Sequence, residues 1–495
     1  MSGLSRRALL LGGSAAIGGV AAHHLSPGLP SYDGVTWIKP VGGEGLLNDA
    51  SGLSETPVHK HIIIEKQRDA ALVDAIRAEI KSAKAEGRAV NIGAARHSMG
   101  GQAIPREGHA ITYQGGFVEP DTSTGTYRTH AGTRWSEVIG ALDPIGFGPQ
   151  IMQSNHDFGV AATFCVNAHG WPVKHGPMGS GVQSFNMVLP DGELVRCSRS
   201  ENTDLFNQTM GGYGLTGAIT EMVVEMLPNQ RLQPSFEAFE AKDYGTRFID
   251  ALNDPAVTMA YGRLNVERES FFEKALMITY RPTVDQSDLP PASGSGTMAH
   301  IASRIYRWQL GNEPMKSLRW WFETGLGPSI GGGPATRNSL MNEPVVTLDD
   351  RNPDRTDILH EYFVAPERFA EFIDLCRAII PGSFQEFLNV TLRFVDKDAE
   401  SWLSYATVPR IAAVMSFSQE MTARAEADML RMTQALIDGV IQLGGTYYLP
   451  YRPHANVRQM AQAYPRAAEF AAAKRALDPD LTFGNNLWDT YLSTL

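Results

Sequence analysis

The sequence predicts an α+β protein of two lobes, and three observations carry that expectation. The chain has 495 residues, beyond the size at which one hydrophobic core stops growing. Amphipathic helices and short strands alternate from about residue 67 onward, which indicates a mixed layer architecture. Its 48 glycines exceed average usage and cluster between Gly93 and Gly217, where small residues let backbone approach a neighbour or a flat ligand closely.

At the amino terminus, Arg6-Arg7 precede an apolar, small-residue run reaching about Ala22. Residues 1–30 thus resemble a twin-arginine signal, and a periplasmic or otherwise exported protein is expected. The run is too short and glycine-broken for a permanent span. Leu72, Val73, Ile76, Ile80 and Ala83 recur at helical spacing, so residues 67–86 are expected to form a helix ending at Gly87. A strand at 89–93, a strand at 127–130 and a helix at 134–142 follow. Alternation broken by Pro190-Asp191-Gly192 predicts a hairpin of 184–189 with 193–197. Beyond residue 231 the pattern changes to longer helices and strands, including a helix at 366–380. The stretches 282–297 and 326–337 are rich in Pro, Gly and Ser and read as loops. Between them Tyr306, Trp308, Leu318, Trp320, Trp321 and Phe322 alternate with basic residues. Two readings stay open: a lid touching a membrane or apolar substrate through 303–325, or a locally packed helix pair.

Composition narrows the function classes. A net charge of -11 gives a nucleic-acid partner no overall attraction. Cys165, Cys197 and Cys376 form no CxxC pair, so neither a disulfide framework nor a zinc ribbon is supported, and no metal site is expected.

Two constellations carry chemistry. The first is Gly93, Ala94, Ala95, Arg96, His97, Ser98, Met99, Gly100, Gly101 and Gln102. A tight loop after a strand exposes successive backbone N–H groups, which can cradle a pyrophosphate. It is neither a Walker loop nor a GxGxxG turn. The second runs Gly159, Val160, Ala161, Ala162, then Val166, Asn167, Ala168, His169 and Gly170, read as a small-residue strand enclosing a buried Cys165. After it come Gly179-Ser180-Gly181 and Gly211-Gly212-Tyr213-Gly214-Leu215-Thr216-Gly217.

In this order the motifs resemble the vanillyl-alcohol oxidase/p-cresol methylhydroxylase superfamily of FAD enzymes, from about Ile62 to Leu227 and again at Asp478-Pro479 and Phe483-Gly484-Asn485-Asn486. The resemblance implies a two-lobed FAD-binding PCMH-type fold: a signal or tail at 1–30, an FAD-binding domain at 55–230, an inserted substrate domain of antiparallel sheet plus helices at 231–455, and 456–495 completing the FAD lobe. The loop 93–102 would wrap the FAD pyrophosphate, with His97 where several members attach the flavin covalently. Ser154, the segments 159–162 and 166–169, and Tyr448 would line FAD, with Ile219 near the adenine end. No cysteine stands where some members make a second bond.

On the substrate side, the strand 389–395 resembles the alditol-oxidase strand that presents an arginine, here Arg393, while the neighbouring glutamate of that branch is replaced by Thr391. Tyr451-Arg452-Pro453-His454 resembles the Arg-Pro-His of aldonolactone and alditol oxidases, with Val457 in place of their lysine. The region from Gly444 to Tyr464 also resembles the decaprenyl-phosphoryl-ribose oxidase branch, whose lysine is replaced by Tyr451. Arg393, His454, Tyr451 and Tyr448 are therefore the expected polar groups around the reacting carbon. The implied activity is hydride removal from a CH–OH group of a small alcohol (a polyol, sugar or lactone, or else a phenolic or lipid-linked sugar alcohol), with oxygen, a quinone or a cytochrome as electron acceptor. A non-catalytic flavin-binding protein is the reading outside that class.

Overall fold

The computed structural model describes residues 34–65, 67–293, 307–326, 328, 332–344 and 352–495. The twin-arginine stretch, Tyr306 and parts of both expected loops lie outside them. The helix Asp69–Ala85 turns the five apolar residues singled out by spacing inward, and Gly87 at φ 64° ends it. It leads into the strand Val90–Gly93, which pairs in parallel with His109–Gln114, itself parallel to Lys60–Glu65. This small sheet delivers the chain directly into the loop 93–102.

An antiparallel sheet completes the first lobe. The hairpin of Val182–Val188 with Leu194–Ser198 forms in the expected place, its turn using Gly192 at φ 90°. The long strand Ala218–Pro228 lies beside it and also pairs with Thr126–His130. The helix Trp135–Leu142 buries Trp135 completely, and the indole N–H donates to Thr163 Oγ1 at 2.9 Å.

Thr163 marks a correction. The residues expected as a small-residue strand form instead the helix Val160–Cys165, with Gly159 in extended conformation at its N-cap. Small side chains suit either state, and tertiary contacts choose. Thr133 O receives Val160 N at 2.9 Å, and a Cβ on Gly159 would stand 3.0 Å from that of Ala94. The chain therefore turns tightly against the loop 93–102. Cys165 closes this helix half-buried, its thiol pushed up to about 12 by burial.

Beyond Arg231 the second lobe is an eight-stranded sheet, antiparallel throughout. Its order is Ala335–Thr336, Arg231–Glu240, Lys274–Pro282, Met259–Leu264, Glu386–Val395, Arg410–Glu420, Arg355–Val364 and Thr446–Tyr447. The expected loop 326–337 thus ends in an edge strand. The helices Tyr244–Leu252, Phe369–Ile379 and Ala423–Gln442 share one hydrophobic core with this sheet. Met259, Tyr261, Leu276, Ile278 and Tyr280 join the core of the first lobe instead, so the sheet bridges both. The chain end returns to the parallel sheet: Val90 N donates to Thr482 O at 2.6 Å and Gly484 N to Val90 O at 3.1 Å.

The aromatic segment is anchored rather than presented as a basic face. From the helix Glu313–Trp321, Lys316 and Arg319 turn inward. Arg319 donates to Leu388 O and Asn389 Oδ1 at 3.0 Å each, and Lys316 pairs with Glu386 at 3.3 Å. Trp308 and Trp321 are 48% and 54% exposed, whereas Phe322 is buried. Among the described residues, no helix is long and apolar enough to cross a membrane.

Candidate active site

The loop 93–102 is held from behind. Met99 N donates to Pro450 O at 2.7 Å, and Gln102 Nε2 reaches Leu449 O at 2.7 Å and Tyr451 O at 3.1 Å. Asn485 Nδ2 donates to Gln102 O at 2.8 Å and to Tyr213 O at 2.9 Å. Gly101 must be glycine twice over: its φ is +70°, and a Cβ would meet Asn486 Nδ2 at 2.1 Å. At the front of the loop, the amides of Ala94, Ala95, Arg96 and Ser98 have no acceptor among the described residues. Arg96, at φ 51°, folds back to give Thr112 Oγ1 and Ala103 O hydrogen bonds of 2.8 and 3.3 Å. Burial pulls its pKa down to about 10, and its Nη2 is buried without a partner. The half-buried His97 ring lies against Phe158, centroids 4.7 Å apart.

The segment 166–169 is pinned by the second lobe, one carbonyl at a time. Tyr448 Oη donates to Val166 O at 2.9 Å, Tyr405 Oη to Asn167 O at 2.5 Å, and Arg393 Nη1 to His169 O at 3.3 Å. Asn167 takes the left-handed conformation at φ 45°, which asparagine tolerates better than most residues. Its amide side chain is fixed between Gly179 N and Asp398. Arg393 Nη2 also donates to Ser154 Oγ at 3.3 Å. Ile219 sits in the strand Ala218–Pro228 opposite Met187, its side chain in the core.

Four residues meet at the contact between lobes, and one of them is absent from the sequence expectations. Glu361, 3% exposed, pairs through Oε1 with His169 Nε2 and accepts the Tyr451 hydroxyl at Oε2 over 3.3 Å. It also opposes the burial that lowers the pKa of Arg393. Sheet register explains its position. Thr391 pairs with Val414, and Val414 with Glu361, so Glu361 lies in the cross-strand row of Thr391, two strands away. Arg263, also paired with Thr391, continues the row on the other side. A single acid within the run Leu359-His360-Glu361-Tyr362-Phe363-Val364 was the available sequence signal, since a buried carboxylate in an apolar strand requires partners.

Tyr448 and Tyr451 are raised well above the ordinary tyrosine value. Burial is the main cause for both, with further contributions from Tyr405 at Tyr448 and from Glu361 at Tyr451. Both hydroxyls therefore stay protonated and act as donors. His454 is held by other partners. Its Nε2 lies 2.9 Å from Glu426 and its Nδ1 3.2 Å from Thr433 Oγ1, both on the helix Ala423–Gln442. Arg452 shares Glu426 at 2.7 Å. The Arg-Pro-His turn is thus a clamp between that helix and the loop 93–102, where Arg452 Nη1 reaches Met99 O at 3.2 Å.

Comparison with known proteins bears directly on the cradle. Residues 70–198 match a family model described as an FAD binding domain. The chain carries the FAD-binding domain of the vanillyl-alcohol oxidase/p-cresol methylhydroxylase superfamily. Its relatives include a Neurospora crassa protein named as a D-arabinono-1,4-lactone oxidase, 28% identical over 22% of this chain and 20% of the relative. Cytokinin dehydrogenase 1 of Oryza sativa subsp. japonica is 31% identical over 27% of this chain and 26% of its own. Cytokinin dehydrogenase 5 of Arabidopsis thaliana is 28% identical over 36% of each. Each match thus spans little more than a third of the relative's length at most. FAD is the cofactor, and the residues present fit it. Amides without acceptors and the orphaned Nη2 of Arg96 suit an anionic pyrophosphate.

Proposed function

We propose that the protein is an FAD-dependent oxidoreductase that removes a hydride from a CH–OH carbon of a small polyol, sugar or lactone. The observation that carries this reading is the Glu361–Tyr451–Arg393–His169 group, which joins a proton acceptor, a protonated hydroxyl and a buried cation where the two lobes meet. When bound, FAD supplies the hydride acceptor. The loop 93–102 would hold its pyrophosphate, with Ser154, 159–162, 166–169, Ile219 and Tyr448 along its length and His97 as the candidate covalent attachment.

The protein's own part is proton movement and charge. The substrate hydroxyl donates to Tyr451 Oη as Tyr451 passes its proton to Glu361 Oε2, so the carboxylate ends protonated and the phenol is restored. Arg393 stabilises negative charge that develops on the substrate oxygen. The hydrogen bonds it donates to Ser154 Oγ and His169 O fix its guanidinium, and His169 holds the other carboxylate oxygen. His454 is a positioning residue of the Glu426 clamp.

The test is anaerobic mixing of the FAD-loaded protein with polyols, aldonolactones, phenolic alcohols, prenyl-linked sugars and, because several relatives are cytokinin dehydrogenases, a cytokinin. Bleaching by a polyol, sugar or lactone supports the reading. Bleaching by the cytokinin alone would move the reaction to a different donor, and none at all would favour a non-catalytic flavoprotein. Oxygen, quinone or cytochrome as acceptor is distinguished by reoxidation of the bleached protein. Export through the twin-arginine route belongs to the same proposal, and replacing Arg6 and Arg7 by lysine should retain the protein inside the cell.

A further inference from the structure

The rim of the parallel sheet in the first lobe carries a separate group of titratable side chains. His59 immediately precedes the strand Lys60–Glu65, His109 opens His109–Gln114, and Glu86 caps the carboxyl end of Asp69–Ala85. Glu86 Oε2 lies 2.9 Å from His59 Nε2 and 3.3 Å from His109 Nε2. One ligand atom from each of the three residues can be drawn within 4.8 Å of the other two. Tetrahedral bonds of about 2.0 Å put ligand atoms roughly 3.3 Å apart, close to the two separations from Glu86 Oε2.

The surroundings of His109 fix its ring. Its ring is fully buried, and its Nδ1 pairs with the carboxylate of Glu79, itself held by Lys60 at 2.9 Å. With Nδ1 taken by Glu79, Nε2 is the ring nitrogen of His109 that faces the Glu86 carboxylate. The helix carboxyl end adds negative potential. The fixed cations nearby are Lys60, committed to Glu79, and Arg88, whose Nε is 3.7 Å from Glu86.

The backbone presets the arrangement. His59 N donates to Gly108 O at 3.0 Å, His109 N to Ala89 O at 2.7 Å, and Ser82 Oγ holds the other Glu86 oxygen at 3.2 Å.

We propose that His59, Glu86 and His109 bind a divalent transition metal. Zinc suits the two imidazoles and one carboxylate, with water at the remaining, exposed position. Glu79 is the outer carboxylate that orients His109. The ion staples two parallel strands to the helix that precedes Val90–Gly93, and so braces the sheet that ends in the FAD loop. The ligands come from three elements with no short spacing, which is why the sequence carries no metal motif. This site is independent of the proposed reaction.

The test is a zinc titration of the chelator-treated, FAD-loaded full chain against a chromophoric chelator. The parent should take up one zinc per chain, with affinity falling as pH drops because the imidazoles must be deprotonated. His59→Ala, at an exposed position, should weaken binding at least about tenfold, and Glu79→Gln by about 10–100-fold. An unchanged visible flavin spectrum in both variants verifies folding. Absence of stoichiometric uptake by the folded parent overturns the proposal, as does uptake that survives His59→Ala combined with Glu86→Gln.

Discussion

Glu361 Oε2 is the atom on which the proposed chemistry turns. Glu361→Gln keeps size and burial but removes the proton acceptor, so flavin reduction by substrate should slow by about 10²–10⁴-fold, measured by stopped-flow absorbance, with the flavin spectrum unchanged. Arg393→Met should cost about 10²–10³-fold, and Arg393→Lys should restore part of it because charge returns without the two-pronged hold on Ser154 and His169. At His97, acid precipitation tests the covalent bond. Colour kept in the parent pellet and lost to the supernatant in His97→Ala is the expected pair. Arg393, Tyr448 and Tyr451 were legible as residues because their motifs are local. Glu361 was not, because its place in the cross-strand row of Thr391 exists only once three strands are in register.

At the scale of elements, the loop 93–102 and the Glu426 clamp make separate predictions. Gly101→Ala must adopt a left-handed conformation while its Cβ meets Asn486, so the loop shifts and FAD affinity falls, measured by flavin fluorescence titration in the dissociable His97→Ala background. Behind the loop, burial, reinforced by nearby His454 and opposed by Glu426, draws His360 down to about 3 from 6.5. As pH falls, the unfolded chain takes up this proton first. The contribution of His360 is therefore complete above about pH 6.5 and is lost progressively toward pH 3. Burial alone would raise Glu426, but the His454 hydrogen bond and the charges of Arg452 and His454 outweigh it and hold its carboxyl well below the usual range. Its contribution is present above the ordinary carboxylate value and fades as pH falls below it. Melting temperature should thus drop from pH 7 to pH 5, and His360→Gln should flatten that slope. Helical spacing made Asp69–Ala85 legible, and Pro190-Asp191-Gly192 made the hairpin so. The helix Val160–Cys165 was not, since runs of glycine, alanine and valine have no period that separates helix from strand.

For the whole molecule, the relevant fact is that the lobes share interior. Tyr261 and Ile278 of the large sheet pack in the core of the first lobe, and Val166, Asn167 and His169 give their carbonyls to Tyr448, Tyr405 and Arg393. A ligand bound across this contact stabilises the folded chain by mass action, about 4 kcal/mol at a thousandfold excess over its Kd. In the His97→Ala background, where FAD is dissociable, the FAD-loaded protein should therefore melt well above the stripped form and in one transition, by calorimetry. The two-lobed α+β architecture was legible because motif order resembles a known superfamily. The sharing of one core across the lobes depends on which face of Met259–Leu264 turns inward, and an almost wholly buried strand shows no alternation from which to read it.

The most direct test of the central claim is anaerobic reduction of the FAD-loaded parent and of Glu361→Gln by polyols and aldonolactones, followed as loss of visible flavin absorbance. The parent should bleach with at least one such alcohol or lactone while Glu361→Gln bleaches far more slowly, though both respond equally to a chemical reductant. Equal bleaching of the two by substrate, or a parent that only the chemical reductant can bleach, would contradict the account.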